Sequence, residues 1–279
     1  MKKYDGLFPP LVERVIHEER FAKNPDKAAK TRLHQIYGAY LQPNSNKKAS
    51  ALVKQLICPI RAELASPASH EPETTGNITA QVNITPANEI LIQLLKLHSS
   101  TSERLPYYGD FYDFIFSHTG VAEKILDLGC GFNPFSLPFF PQKPTEYHTV
   151  DISLHTKDLL NTFFEMVQLP KYATCEDLTT FTPTVNVNLA LVLKLFPVLE
   201  INNPGRAYNL TNELNTTWLV VTFPTKSLGG RKKGMTANYR TSFFVEMNKN
   251  ALSNFDVAAE TVIGNELVFI LKRRQFFRP

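Results

Sequence analysis

Apolar positions along this chain follow two rhythms, and the rhythm changes near residue 105. Upstream, Leu11, Val12, Val15 and Ile16 recur at helical spacing, and Pro9–Pro10 suit a first turn. Thr31 is placed to cap the stretch TRLHQIYGAYL, which Gly38 interrupts. Residues 49–64 form another helical run, in which Pro59 predicts a kink or a break. The Ser-, Thr-, Pro- and Asn-rich segment 65–86 reads as a loop or tether. NEILIQLLKLH (88–98) is an amphipathic helix with Ile90, Leu91, Leu94 and Leu95 on one face. Downstream, strand-like runs alternate with helical stretches. The predicted strands are Lys124–Leu128, His148–Asp151, Val187–Leu193, Thr217–Phe223, Glu260–Ile263 and Leu267–Leu271, with a third strand between Asp151 and Asp177. Such alternation predicts an α/β fold with a mostly parallel, doubly wound sheet. Gly264-Asn265 marks a closing antiparallel hairpin. The expected organisation is a helical N-terminal domain over 1–104 and an α/β domain over 105–279.

Composition narrows the class. The chain has 279 residues, 43% hydrophobic and 20% charged, an ordinary globular balance that excludes disorder, collagen and a coiled-coil rod. No apolar run approaches the roughly 18–20 residues that span a bilayer. The start, MKKYDGLFPPLVERVIHEER, carries charges where a secretion signal has its apolar stretch, which predicts a cytoplasmic protein with no membrane partner. In that setting the glycosylation-like triplets at Asn77 and Asn83 are chance matches. Cys58, Cys130 and Cys175 stand 72 and 45 residues apart, against a disulfide framework or a structural metal site. Charge is uneven: residues 1–61 hold 12 Lys/Arg against 5 Asp/Glu, while the remainder holds 18 against 21. A second basic run, PTKSLGGRKKGMTANYR (224–240), has five Lys/Arg and no acid. A third spans Lys272–Arg274. Basic patches on an otherwise slightly acidic chain point to a polyanionic partner.

Chemistry concentrates in KILDLGCGFNP (124–134), where an apolar strand runs into Gly129-Cys130-Gly131. Glycines there let the backbone pass close to a ligand. Pro134 replaces the third glycine of the dinucleotide fingerprint, which argues against a packed pyrophosphate. Asp151 follows Gly131 by 20 residues at a strand end, where a carboxylate can accept both ribose hydroxyls. Asp177, in CEDL, can accept from an adenine amino group. Glycine loop, ribose acid and adenine acid in this order fit S-adenosylmethionine better than a dinucleotide. By fold analogy, a doubly wound sheet with a terminal hairpin is also the Rossmann-like, seven-stranded form of methyltransferases that use that cofactor. Lys194 ends an apolar strand on the side where open α/β sheets bind ligands, and can aim at the cofactor methyl or an incoming base; alternatively it simply emerges into water. Cys130 and Cys175 lack the context of catalytic thiols and read as packing residues, and Trp218 reads as core. Asn133-Pro134-Phe135 resembles an amine-methylation motif but lies in the wrong loop.

Several segments carry a more specific likeness: TRLHQIYGAY (31–40), SERLPYY (102–108), GCGFNP (129–134), LVLKLFPVLE (191–200), VVTFPTKSLGGRKKGM (220–235) with Asn238-Tyr239, and IGNEL (263–267). Through them the chain resembles the aminoglycoside-resistance 16S rRNA guanine-N7 methyltransferases, over nearly its whole length. The resemblance implies a helical RNA-docking region before a Rossmann-like catalytic domain. It implies methylation of a decoding-site guanine within the 30S subunit by a monomeric enzyme. In that likeness Arg104 holds the cofactor carboxylate, Asp151 its ribose and Asp177 its adenine, with Gly129 and Gly131 in the cofactor loop. Ile152 and Leu178 sandwich the ring. Lys194, Lys226, Arg231 and Met235 surround the target nucleotide, and Arg32, Lys47, Lys48 and Lys232 belong to the RNA-facing basic surfaces. Guanine N7 has an in-plane lone pair and no proton, so no general base is needed, and none is evident in the sequence. Two other readings stay open: a methyltransferase for another RNA or a small molecule, and a silent RNA-binding homologue.

Overall fold

Seven strands build one sheet in the order β3-β2-β1-β4-β5-β7-β6. They are β1 (Lys124–Leu128), β2 (Glu146–Asp151), β3 (Ala173–Cys175), β4 (Asn186–Leu193), β5 (Asn215–Pro224), β6 (Phe255–Ile263) and β7 (Glu266–Arg273). The first five pair in parallel; β7 pairs antiparallel with both β5 and β6. The computed structural model describes residues 4, 6–38, 45–65, 85–225, 235–249 and 251–274, without the side chains of 37, 38, 63–65 and 235. The six strands expected from sequence are present, and the short β3 lies where Asp177 required a third strand.

Helices cover both faces, which is why β1 and β4 read as near-continuous apolar runs. On one face, α3 (Ser45–Ala65), α4 (Pro86–Leu95), α6 (Tyr108–Thr119) and α7 (Leu154–Met166) set Leu56, Leu94, Tyr112 and Phe163 against Ile125, Leu189, Leu191 and Ile270. On the other, α8 (Phe196–Asn202), α9 (Arg206–Glu213) and α10 (Met235–Asn248) pack Phe196, Leu210 and Phe243 against Leu126, Val192, Leu219 and Phe269. Neighbouring strand residues divide between the two cores, as the period of two demands. A third, small cluster joins α1 (Pro9–Glu18) and α2 (Pro25–Leu33): Leu7, Leu11, Val15, Ala29 and Leu33 pack together, with Ile152 from the end of β2 against them. Backbone bonds from Phe8 N–H to Ile152 O (2.9 Å) and from Leu154 N–H to Gly6 O (2.9 Å) fasten this unit to the segment that follows β2.

Local expectations differ from the structure at two places upstream. Thr31 does not cap its helix. Asn24 does, accepting from Lys27 N–H at 3.2 Å, with Pro25 at the first helical position; Thr31 lies inside α2 and donates to Lys27 O at 2.8 Å. An Asn-Pro pair satisfies the start of the helix about two turns earlier than Thr31 could. Pro59 does not break α3, which stays helical from Ser45 to Ala65. A mid-helix proline costs about 3 kcal/mol, and burial of Val53, Leu56 and Ile60 offsets it. Trp218 sits half-buried at the margin of the core, under the Lys272 ammonium at 5.0 Å. The tether expected at 65–86 and the basic loop at 226–234 lie mostly or wholly outside the described residues.

The β6–β7 hairpin turns at Gly264 with φ +56°, and a Cβ there would stand 2.4 Å from the Tyr107 ring. Gly264→Ala is therefore expected to cost about 2 kcal/mol through left-handed strain and displacement of that ring. Thermal unfolding should show a Tm several degrees lower; an unchanged Tm would contradict this account of the turn.

Candidate active site

The strand order reverses direction between β1 and β4, and open α/β sheets bind ligands outside the carboxyl ends of the strands at that switch. A cleft enclosing about 980 Å³, solvent at its mouth included, lies there. Its floor is the turn after β1. Gly129 (φ +61°) donates to Val150 O at 2.8 Å, and Gly131 adopts φ +50°. A Cβ on Gly129 would come 2.9 Å from Leu195, and one on Gly131 would come 2.8 Å from the His98 ring. Both glycines are thus required by conformation and by space.

Asp151, 7% exposed, ends β2. Its Oδ2 accepts from Gly131 N–H and its Oδ1 from Ser153 N–H, each at 2.9 Å. Burial pushes its carboxyl above the ordinary value, and these backbone bonds pull it partly back. The carboxylate lines the cleft, and two oxygens side by side suit a pair of neighbouring hydroxyls. Asp177, beyond β3, also faces the cleft, along with Ile152 and Leu178. The sequence-predicted pieces of a nucleoside site therefore converge. The N-terminal unit completes the wall with Leu11 and Ile36, and Arg14 of α1 reaches Asp177 Oδ2 at 2.7 Å. Sequence reasoning missed Arg14; the basic excess of residues 1–61 was the only hint.

A buried charge cluster occupies the other side. Arg104, 3% exposed, grips Glu266 with two nitrogens, Nε and Nη2, both at 2.9 Å, and Nη1 donates to Asn133 Oδ1 at 3.0 Å. The guanidinium also lines the cleft. Lys194 has φ +57°, a strained value for a non-glycine residue. Its side chain does not emerge into water. The ammonium stands 2.8 Å from Glu103 and 3.4 Å from Glu266. Burial alone would raise the Glu266 carboxyl, but Arg104 and Lys194 hold it below its ordinary value. Burial and the same two cations push His98 down to about 4, so its imidazole is neutral. Glu266, Glu103 and His98 were not legible as site residues, although Glu266 betrays itself as an acid opening the apolar run ELVFIL.

The thiols match packing roles: Cys130 and Cys175 are buried, and burial raises both, Cys175 to about 12. Among the described residues no cluster of three or more His, Cys, Asp or Glu is set to hold a metal. Of the candidate RNA-facing residues, Lys47 and Lys48 are exposed on the first turn of α3. Arg32 is half-buried and paired with Glu18 (2.7 Å) and Glu19 (3.2 Å). Lys226, Arg231 and Lys232 lie outside the described residues, as does the side chain of Met235.

Asp127, beneath the glycine turn on β1, is pushed up to about 7 by burial, against hydrogen bonds from Asn133 and Tyr147. A carboxyl whose folded value exceeds its unfolded one loses stability as pH rises between the two. Asp127→Asn should therefore gain Tm relative to the parent on going from pH 5 to pH 8. A difference that stays constant or shrinks would place the charge of Asp127 elsewhere.

Comparison with known proteins agrees with this architecture. The profile of the family described as ribosomal RNA methyltransferase (FmrO) matches residues 1–270. A Serratia marcescens protein named 16S rRNA (guanine(1405)-N(7))-methyltransferase is 32% identical over 276 residues, 98% of this chain and 94% of that protein. A Micromonospora echinospora protein of the same name is 29% identical over 98% of this chain and 93% of its own. Among solved structures, the 16S rRNA methyltransferase RmtF in complex with S-adenosyl-L-homocysteine superposes with a TM-score of 0.77 at 30% identity, covering 97% of this chain and 93% of that one. The 16S rRNA methylase RmtB gives 0.74 at 28% identity, covering 98% and 94%. With a family profile spanning nearly every residue and full-length relatives of the same fold, the chain belongs to the FmrO family of ribosomal RNA methyltransferases.

Proposed function

We propose that this protein transfers the methyl group of S-adenosylmethionine to N7 of guanine 1405 in 16S rRNA, the activity in the names of its full-length relatives, and so confers aminoglycoside resistance. The observation that carries the cofactor side is Asp151, a buried carboxylate fixed by Gly131 and Ser153 N–H in the cleft wall beside the Gly129–Gly131 turn. In this reading Asp151 takes the ribose hydroxyls and Asp177 the adenine amino group, while Ile152 and Leu178 sandwich the ring. Gly129 and Gly131 let the backbone approach. Arg104 offers its guanidinium to the cofactor carboxylate.

The cofactor, when bound, supplies an electrophilic methyl that the in-plane lone pair of guanine N7 attacks without loss of a proton. The chain's task is then alignment and electrostatics. Methyl transfer moves positive charge onto the base. An unpaired cation beside the guanine would oppose that. Lys194 is instead neutralised by Glu103 and Glu266, so it can orient the base without repelling the developing charge.

The target must leave its helix to be reached, because the deep groove of A-form RNA hides N7. Residues 1–104 form the docking unit and 105–279 the methyltransferase domain in this reading. Arg32, Lys47, Lys48, Lys226, Arg231, Lys232 and Met235 meet the rRNA of a 30S subunit. The enzyme acts as a monomer in the cytoplasm; among the described residues no helix is long and apolar enough to cross a membrane.

Two substitutions separate cofactor from RNA. Asp151→Ala should remove detectable binding of S-adenosylhomocysteine by calorimetry; wild-type affinity would refute the ribose assignment. Arg231→Ala should lower methyl transfer to 30S subunits about tenfold or more with cofactor binding intact. Loss of cofactor affinity instead would assign the loop to the cofactor pocket.

A further inference from the structure

The acceptor capacity of Asp177 can be counted. A carboxylate offers four lone-pair positions. Oδ1 of Asp177 accepts from the Thr179 N–H at 2.9 Å and from the Thr179 hydroxyl at 2.7 Å, which fills it. Oδ2 accepts from Arg14 Nη2 at 2.7 Å and keeps one position open. An amino group reaching Asp177 from the cleft must use that last position, on the oxygen that Arg14 holds.

Arg14 is itself fixed. Its Nη2 also donates to Thr179 Oγ1 at 2.9 Å, and its Nη1 donates to Glu18 at 3.1 Å. Glu18 is braced in turn by Arg32 at 2.7 Å. The helix carrying Arg14 is seated at the end of β2 by the Phe8–Ile152 and Gly6–Leu154 backbone bonds and by Leu11 in the cleft wall. Among the described residues, Arg14 is the one cation paired with Asp177, whose residue is only 4% exposed. Burial lowers the guanidinium's affinity for its proton, and the hydrogen bond and charge of Asp177 more than restore it.

We infer that Arg14 is a positioning residue of the cofactor site: it directs the open acceptor position of Asp177 at the adenine 6-amino group, so the N-terminal helix helps distinguish adenine from a purine without that group. The inference rests on the reading of Asp177 as the adenine acceptor. A purely structural Arg14 would pin α1 in place, and its loss would weaken every ligand of the pocket alike. A positioning Arg14 predicts a loss confined to ligands that carry the amino group.

The test uses calorimetry on the full chain with two ligands, S-adenosylhomocysteine and its 6-deamino purine analogue. The parent should prefer the adenine ligand by about tenfold, the scale of a hydrogen bond to a charged group. Arg14→Ala should weaken the adenine ligand by about tenfold and the analogue by less than about threefold, so that the preference collapses. Arg14→Lys, which keeps the charge, should recover part of it. If Arg14→Ala does not fold, as read by ligand-free thermal unfolding, Arg14→Gln replaces it with the same expected collapse. Equal weakening of both ligands overturns the inference in favour of a structural anchor. Unchanged or tighter adenine binding overturns it too, since Arg14 would then compete with the amino group. A parent that shows no preference overturns the Asp177 reading itself, and the inference falls with it.

Discussion

Strands β1 and β4 lie side by side while their connections depart toward opposite edges of the sheet, and everything at the cleft follows from that reversal. No helix can lie directly over the gap between them at the carboxyl end, so the backbone there is open to a ligand. The turn after β1, the acid ending β2, the acid after β3 and the lysine after β4 all reach the same edge because parallel strands end on the same side. The glycines are the price of bringing backbone that close: side chains at 129 or 131 would collide with Leu195 or His98.

The second organising feature is charge neutralised in a dry environment. Arg104, Lys194, Glu266 and Glu103 sum to zero, and three of them are almost wholly removed from solvent. A buried ion without a partner is costly, so each member fixes the others. Glu266 arrives from the hairpin, Arg104 and Glu103 from the short helix α5 (Ser99–Arg104), and Lys194 from the end of β4. The cluster therefore ties three distant segments together, and it leaves this side of the cleft close to neutral.

The sheet was largely legible because parallel strands buried on both faces read as near-continuous apolar runs, as most of β1, β4 and β5 does. The short β3 has too few residues for a pattern and was placed only through Asp177. Asp151 was legible as a cleft residue because a single crossover between the parallel β1 and β2 holds the glycine turn and the next strand end together. Arg14 and Glu266 were not, because each meets its partner across more than 160 positions, joined only by packing. Thr31 shows the opposite failure: a plausible local cap lost to the better-matched Asn24-Pro25 nearby.

The central claim is tested most directly by transfer of labelled methyl from S-adenosylmethionine to intact 30S subunits, naked 16S rRNA and free aminoglycosides, followed by mapping of the modified atom. The account predicts label on the 30S subunit at N7 of guanine 1405 and little on the other two acceptors. Label on a free aminoglycoside, or on a different base of the rRNA, would contradict it.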